Sequence, residues 1–175
     1  MKKLALKWEL IGIAAISVLG SLLHFAFELS GELAPVGIFA AVNESVFEHL
    51  KLTYWPTLVY AACTYGIIRK PTSNFIIAKT VSVYVMPMSI IVLFYVYTTI
   101  TGTEILIVDI LIFVVAVALG QLTSYKLLTM NRLPNNLHWI ALSLLVALAV
   151  VYGIFTFYPP QVPFFQDPVN GTYGI

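Results

Sequence analysis

The chain has 175 residues, and its composition is typical of a membrane protein. Hydrophobic residues make up 60% of it and charged residues only 10%, whereas an ordinary soluble domain is about 25% charged. A formal net charge of +1 without a basic patch argues against nucleic-acid binding. The single cysteine, Cys63, excludes an intrachain disulfide and any site built from several cysteines.

Long apolar runs predict an all-α fold, a polytopic membrane bundle of about five transmembrane helices. A span needs roughly 20 mainly apolar residues, which predicts one transmembrane domain over residues 1–158. The proline-rich segment 159–175 is interpreted as a non-helical tail that folds over a site as a lid or lies on the surface. The run 36–42 is too short to span and is interpreted as a re-entrant or interfacial segment. The predicted spans are 8–29, 44–68, 74–100, 104–130 and 136–158.

Lysine and arginine positions predict the orientation, because short cytoplasmic loops are enriched in these residues. An N-terminus on the cytoplasmic side places eight of the nine basic residues on that side and leaves Lys51 on the other. The odd number of spans then makes the C-terminus extracytoplasmic. Most acidic residues map to the outer half, with Glu9 as the exception on the inner side.

The most polar stretch, NESVFEHLKLTYWP at 43–56, stands at the start of the second predicted span. Glu44, Glu48 and Lys51 fall on one helical face at i, i+4 and i+7, with His49 nearby. Capping of the helix explains the polar residues at its start. Capping does not explain the imidazole of His49 and the ammonium group of Lys51 further along the helix. These two groups favour a functional cluster.

Ionisable residues also lie at membrane depth in two other predicted helices. His24 and Glu28 are four residues apart on the first helix and share a face. Asp109 lies in an apolar run of the fourth helix, where an unpaired carboxylate costs about 2.5–3.5 kcal/mol on insertion scales. We expect Lys51, or failing that a histidine, to pair with Asp109. Helix packing and a helix-pinning salt bridge are the structural alternatives.

Together these residues predict a site of histidines and carboxylates at the outer leaflet. Such sets suit a divalent metal such as zinc, manganese or iron, and three protein ligands with one open position are typical of catalytic zinc. The compact spacing His-Glu-x-x-His is absent, so the ligands must converge from separate helices. The candidate metal ligands are His24, Glu28, Glu44, Glu48 and His49; the candidate catalytic residues are Glu48, His49, Asp109 and Lys51; and the candidate substrate or lid residues are Asn43, Tyr54, Asp167, Asn170 and Tyr173.

The blocks HFAFELSG, AVNESVFEHLKLTYWP and DPVNGTYG resemble a family of small bacterial integral membrane proteins of unknown function. Its marks are an NESxxEHxK motif and a C-terminal DPxxGxYG tail, and the resemblance covers most of the chain. The resemblance implies a helical protein of the bacterial inner membrane and implies no activity.

Three functional hypotheses remain open on the sequence. The first is a metal-assisted hydrolase or transferase acting on a lipid or other amphiphile. The alternative is a binding or transport component for a small cation, proton or solute, and the second alternative is a structural subunit whose charges pin helices together. A polar path to the cytoplasmic side would favour transport, and Ser17, Gln121 and Ser124 do not complete one. Membrane lipid and a lipid or small cationic ligand are the expected partners.

Overall fold

Helices make up most of the protein in the computed structural model, which describes residues 2–70 and 72–175. These residues contain no β-strand apart from an isolated bridge between Gln166 and Tyr173, so the predicted all-α fold class is confirmed. The predicted domain 1–158 includes residues 1 and 71, which lie outside the described residues. The elements are α1 (Lys2–His24), α2 (Ala26–Leu29), α3 (Ala34–Gly37), α4 (Val46–Ile68), α5 (Phe75–Thr101), α6 (Leu106–Leu128), α7 (Asn136–Phe157) and a 3₁₀ turn at Pro163–Phe165.

Among the described residues, four of the five long helices are long and apolar enough to cross a membrane, namely α1, α5, α6 and α7. The fifth, α4, coincides with the predicted second span 44–68 but is not among the four. It is more polar because it faces protein: 13 of its 23 residues are buried, against three of 22 in α7. Polar side chains within a membrane bundle face its interior, and α4 therefore serves as a polar helix packed among apolar ones.

Contacts between helices define two ends of the bundle. At the end that we call the site end, His24 meets the first turn of α4, and Lys51 meets Thr156 of α7. At the opposite end Glu9 of α1 meets Lys79 of α5. We call this the basic end, because most lysines and arginines of the sequence lie near it. Which end faces the cytoplasm stays a prediction.

The chain between α2 and α4 folds back against the bundle. The Lys51 ammonium group donates to the Gly37 carbonyl (2.7 Å), and the Trp55 indole donates to the Ile38 carbonyl (3.0 Å). Side chains of α4 thus satisfy carbonyl groups within the predicted 36–42 segment. Irregular backbone at membrane depth needs such protein partners, so the contacts agree with a re-entrant or interfacial segment, whose position in a membrane stays a prediction.

A cluster of apolar side chains fills the bundle between its two ends. This middle cluster consists of Ile16 on α1, Tyr60 on α4, Met86 on α5 and Val117 on α6, with Phe113 packed against it. Each member lies, along its own helix, between the polar residues of the site end and those of the basic end. The two polar regions are therefore separated by a mainly apolar layer.

Close approach of α1 to its neighbours depends on glycine. A Cβ atom at Gly20 would lie 2.6 Å from the Leu52 carbonyl oxygen and 2.6 Å from Cζ of Phe113. Small residues allow such backbone approach between membrane helices. Gly20 therefore sets how closely α1 packs on α4 and α6 one turn before His24.

We predict that Gly20→Ala destabilises the protein by about 1–3 kcal/mol, because the Leu52 carbonyl belongs to a helix backbone and cannot rotate aside. Thermal unfolding in detergent measures the change. The matched control is Gly153→Ala on α7, where an added Cβ meets nothing within 4 Å. That substitution should leave stability unchanged or raise it slightly, since alanine is the better helix former. Equal effects of the two substitutions would contradict the close approach.

Candidate functional site

Three of the predicted ligand residues converge at the site end. His24 is the last residue of α1, Glu44 lies in the loop before α4, and His49 lies in the first turn of α4. The two histidine Nε2 atoms are 3.0 Å apart, and Oε2 of Glu44 is 3.6 Å from the first and 3.5 Å from the second. We call these residues the His–Glu triad.

The triad has the dimensions of one face of a tetrahedral metal site. A triangle with sides of 3.0, 3.5 and 3.6 Å has a circumscribed circle of about 2.0 Å radius, and Zn–N and Zn–O bonds are about 2.0–2.2 Å long. An ion just above the plane of the three atoms would therefore lie at bonding distance from all of them. The three side chains are 26%, 49% and 32% exposed, in chain order, so the fourth position is accessible.

The loop before α4 orients two members of the triad. The Asn43 side-chain oxygen accepts the Ser45 N–H (3.0 Å), and the Ser45 hydroxyl caps α4 by accepting the Glu48 N–H (3.4 Å). Nδ1 of His49 bonds to the Ser45 carbonyl (2.9 Å). Because a carbonyl can only accept, Nδ1 donates, and a neutral His49 carries its lone pair on Nε2. A second hydrogen bond of this kind is usual for metal-binding histidines.

The charges around the triad favour a cation. Hydrogen bonds from His24 and His49 hold the pKa of the Glu44 carboxyl well below its ordinary value. Partial burial raises the pKa of Glu104, in the loop between α5 and α6. The negative charges of Asp109 and Glu44 raise this pKa further, and the positive charge of His49 opposes them in part. Three carboxylates thus act on one another at the site end, and a bound cation would relieve their repulsion.

The lowered pKa of Glu44 predicts an acid-dependent contribution to stability. Because the folded-state pKa is below the ordinary value of 4.5, the contribution is present above about pH 4.5 and is lost as the pH falls through the folded-state pKa. We predict that Glu44→Gln loses less stability than the parent chain between about pH 5 and pH 3. The difference should be small, since Glu44 is half exposed. Thermal unfolding across this interval tests it, and a greater acid loss in the variant would contradict the pairing.

Glu48 and Lys51, both predicted catalytic residues, form a fully buried ion pair next to the triad. The Glu48 carboxylate also accepts the Val42 N–H (3.0 Å), and the Lys51 ammonium donates to the Thr156 hydroxyl (2.8 Å). Sequence reasoning missed Thr156, because a single threonine in an apolar helix gives no signal of a polar partner. The network ties α4 to α7 and fixes the loop that carries Glu44.

Asp109 does not pair with Lys51, and this expectation was wrong. Its carboxylate accepts a hydrogen bond from the Tyr97 hydroxyl (2.5 Å), which also accepts the Ile105 N–H (3.1 Å). The lysine instead has a carboxylate three residues away on its own helix, in Glu48. Asp109 therefore links α5 to α6 at the site end, and its catalytic role stays a prediction.

Comparison with known proteins identifies the family of this chain. The model of a family of unknown function, DUF6512, matches residues 1–175. The chain belongs to this family. The predicted resemblance to a family of unknown function is thus confirmed, while the details of its motifs stay predictions. Comparison with curated proteins and with solved structures finds no match.

The tail of this DUF6512 member folds back on the site end. Asn43 donates to the Gly174 carbonyl (3.2 Å), so the tail contacts the loop that carries Glu44. Asp167 is buried and accepts the Val169 N–H (2.7 Å) within a turn of the tail. Asn170 is exposed and bonds to Asp167, and Tyr173 packs against the core. Movement of the tail as a lid stays a prediction.

Two further candidates lie apart from the triad. Tyr54 is buried, and its hydroxyl donates to the Leu145 carbonyl of α7 (2.7 Å). Glu28 lies on α2 and is exposed, because α1 ends at His24 and a break at Phe25 separates the two helices. The regular helix on which the predicted His24–Glu28 pairing depends is therefore absent at this point. The structure brings His24 to His49 and Glu44 instead.

Proposed function

We propose that this protein is a membrane-embedded enzyme that uses a divalent metal ion, zinc above all, for hydrolysis or group transfer on a lipid or other amphiphile. The convergence of His24, Glu44 and His49 on one point supports the proposal. Their donor set of two imidazoles and one carboxylate suits zinc, and manganese or iron next. One accessible coordination position remains, as in catalytic rather than structural zinc sites.

Each polar group has a role in this proposal. The triad would hold the ion, which when bound would supply Lewis-acid chemistry towards water and towards the carbonyl or phosphoryl group of a substrate. Glu48 and Lys51 keep the ligand loop in place through the Val42 N–H and Thr156. Asp109 balances charge and orients groups near the open position.

An amphiphilic substrate is supported by the surroundings of the triad. Exposed apolar side chains near the end of α1 and on α2 flank His24, among them Leu22, Phe25 and Leu29, and Leu106 is exposed at the start of α6. Helices that span a bilayer end at its polar interface, where headgroups lie. An acyl chain along these residues would bring a headgroup to the triad. We propose that this end lies at the outer leaflet of a bacterial inner membrane, and the distribution of basic residues supports this orientation.

A second candidate function is the binding or transport of a small cation, proton or solute. Buried polar residues near the basic end, among them Glu9, Lys79 and Gln121, favour it. The middle cluster of Ile16, Tyr60, Met86 and Val117 counts against a continuous path. A polar site on one side of this layer is the arrangement expected of an enzyme.

We predict that purified protein carries close to one divalent metal ion per chain, measured by elemental mass spectrometry after zinc supplementation. His24→Ala, His49→Ala and Glu44→Gln should each lower the bound metal at least tenfold, because each removes one of three ligands. The matched control is Glu32→Gln, an exposed glutamate outside the triad, which should retain the metal. Metal-free parent protein, or metal retained by all three ligand variants, would contradict the site.

We predict metal-dependent turnover of lipid or amphiphile esters and phosphoesters by zinc-loaded protein in lipid nanodiscs. Chelation should abolish the activity and zinc should restore it, and His49→Ala should lower it about 100-fold or more because the ion is lost. Glu32→Gln serves again as the control. Stoichiometric zinc without turnover across the ester and phosphoester panel would favour the binding or transport function.

A further inference from the structure

Three buried polar atoms on α5 and α6 lack a hydrogen-bond partner in the described part of the chain. They are Oγ of Ser82, Oε1 of Gln121 and Oγ of Ser124, and all three residues are 0% exposed. Buried polar atoms are nearly always hydrogen-bonded to protein or to ordered water. Three in one region of an apolar bundle therefore require an explanation.

Other hydroxyl groups of this chain show the ordinary way to satisfy a hydroxyl in a helix. Ser89, on the same helix as Ser82, donates to the carbonyl four residues earlier (2.8 Å), and Thr123, next to Ser124, does the same (2.8 Å). Ser82 and Ser124 form no such bond. Instead, Ser82 Oγ lies only 3.0 Å from the position that a Cβ on Gly120 would occupy. Its hydroxyl group is thus directed at α6 rather than at its own backbone.

The unpartnered atoms adjoin the buried ion pair of the basic end. The Lys79 ammonium group contacts both oxygens of Glu9 (2.6 and 2.8 Å), and the Gln121 side-chain amide donates to the Glu9 carbonyl (3.4 Å). Ser82 lies about one turn from Lys79 on α5, and Ser124 lies about one turn from Gln121 on α6. The Glu9–Lys79 pair and the unpartnered atoms together join α1, α5 and α6 on the basic-end side of the middle cluster.

We propose that this region is a water-binding site, which we call the inner water site, and that its water hydrates the Glu9–Lys79 pair. Water can donate to Gln121 Oε1, which only accepts, and can accept from the two serine hydroxyls, so water can satisfy all three unpartnered atoms. Water suits the region better than a cation, because the Lys79 ammonium group already neutralises the Glu9 carboxylate.

The site gives the protein a second functional region, independent of the metal proposed at the site end. A hydrated ion pair within an apolar bundle is a place where protons can be exchanged. The middle cluster, with Met86 and Val117 fully buried, confines this exchange to the half of the bundle near the basic end.

Substitution of the two serines tests the site, because the midpoint of thermal unfolding should fall if water is bound and rise if the region is dry. If water binds the hydroxyls, Ser82→Ala with Ser124→Ala removes hydrogen bonds and lowers the midpoint of thermal unfolding in detergent by several degrees. If the region is dry, the same change removes unpaired polar groups and raises the midpoint. Ser89→Ala is the matched control, with a hydroxyl that bonds within its own helix. A rise in the midpoint, or a change no greater than that of the control, would overturn the proposal.

Radiolytic labelling by X-rays in H₂¹⁸O supplies a direct readout. Bound water generates hydroxyl radicals in place, and Met86, whose side chain lies against Gly120, should be oxidised although it is 0% exposed. We expect the double serine variant to lower this labelling at least threefold and Ser89→Ala to leave it unchanged. Absence of labelling in the parent chain would overturn the water site. A higher midpoint of thermal unfolding in sodium than in potassium, seen in the parent chain and absent from the double variant, would also overturn it. Such a difference would identify a bound cation in place of water.

Discussion

The buried ammonium group of Lys51 is the constraint on which the site end depends. A charge with no exposure in an apolar bundle is stable only when every donor has a partner, and Lys51 finds three: the Glu48 carboxylate, the Gly37 carbonyl and the Thr156 hydroxyl. These partners come from α4 itself, from the folded-back segment and from the end of α7. The lysine therefore determines where three parts of the chain meet. A buried pair of this kind is weak evidence for high stability, but it gives a single arrangement of its partners.

The same network orders the loop that carries Glu44, and in this way it positions the His–Glu triad. Glu48 accepts the Val42 N–H, and Asn43 accepts from Ser45 and donates to the tail, so the loop that carries Glu44 is fixed at both sides. A fixed loop of this sort is what a metal site requires, because ligands that must first be ordered bind an ion less tightly. The tail helps to fix this loop through the hydrogen bond from Asn43 to the Gly174 carbonyl.

Much of the fold could be predicted from the sequence, since apolar runs specify helices directly. The details of the site depended on features that hydropathy does not report. Glu28 lies on α2, beyond the break at Phe25, and is not part of the triad. A carboxylate three residues before Lys51 took the place of Asp109 as its partner. Tyr97, Thr156 and the Glu9–Lys79 pair came from contacts between residues far apart in the chain. Such contacts follow from packing, which one sequence read alone does not reveal.

The two polar regions of the bundle differ in the kind of group that remains without a partner. The triad places two imidazole nitrogens 3.0 Å apart next to a carboxylate that stays ionised, so the two nitrogens must share a proton or bind an ion between them. A divalent ion would bind both nitrogens and Glu44 at once, and it would reduce the repulsion among Glu44, Glu104 and Asp109. The inner water site has the opposite character: its charges are already paired, and only neutral hydroxyl and amide groups remain unbonded. A cation therefore suits the first region, and water suits the second.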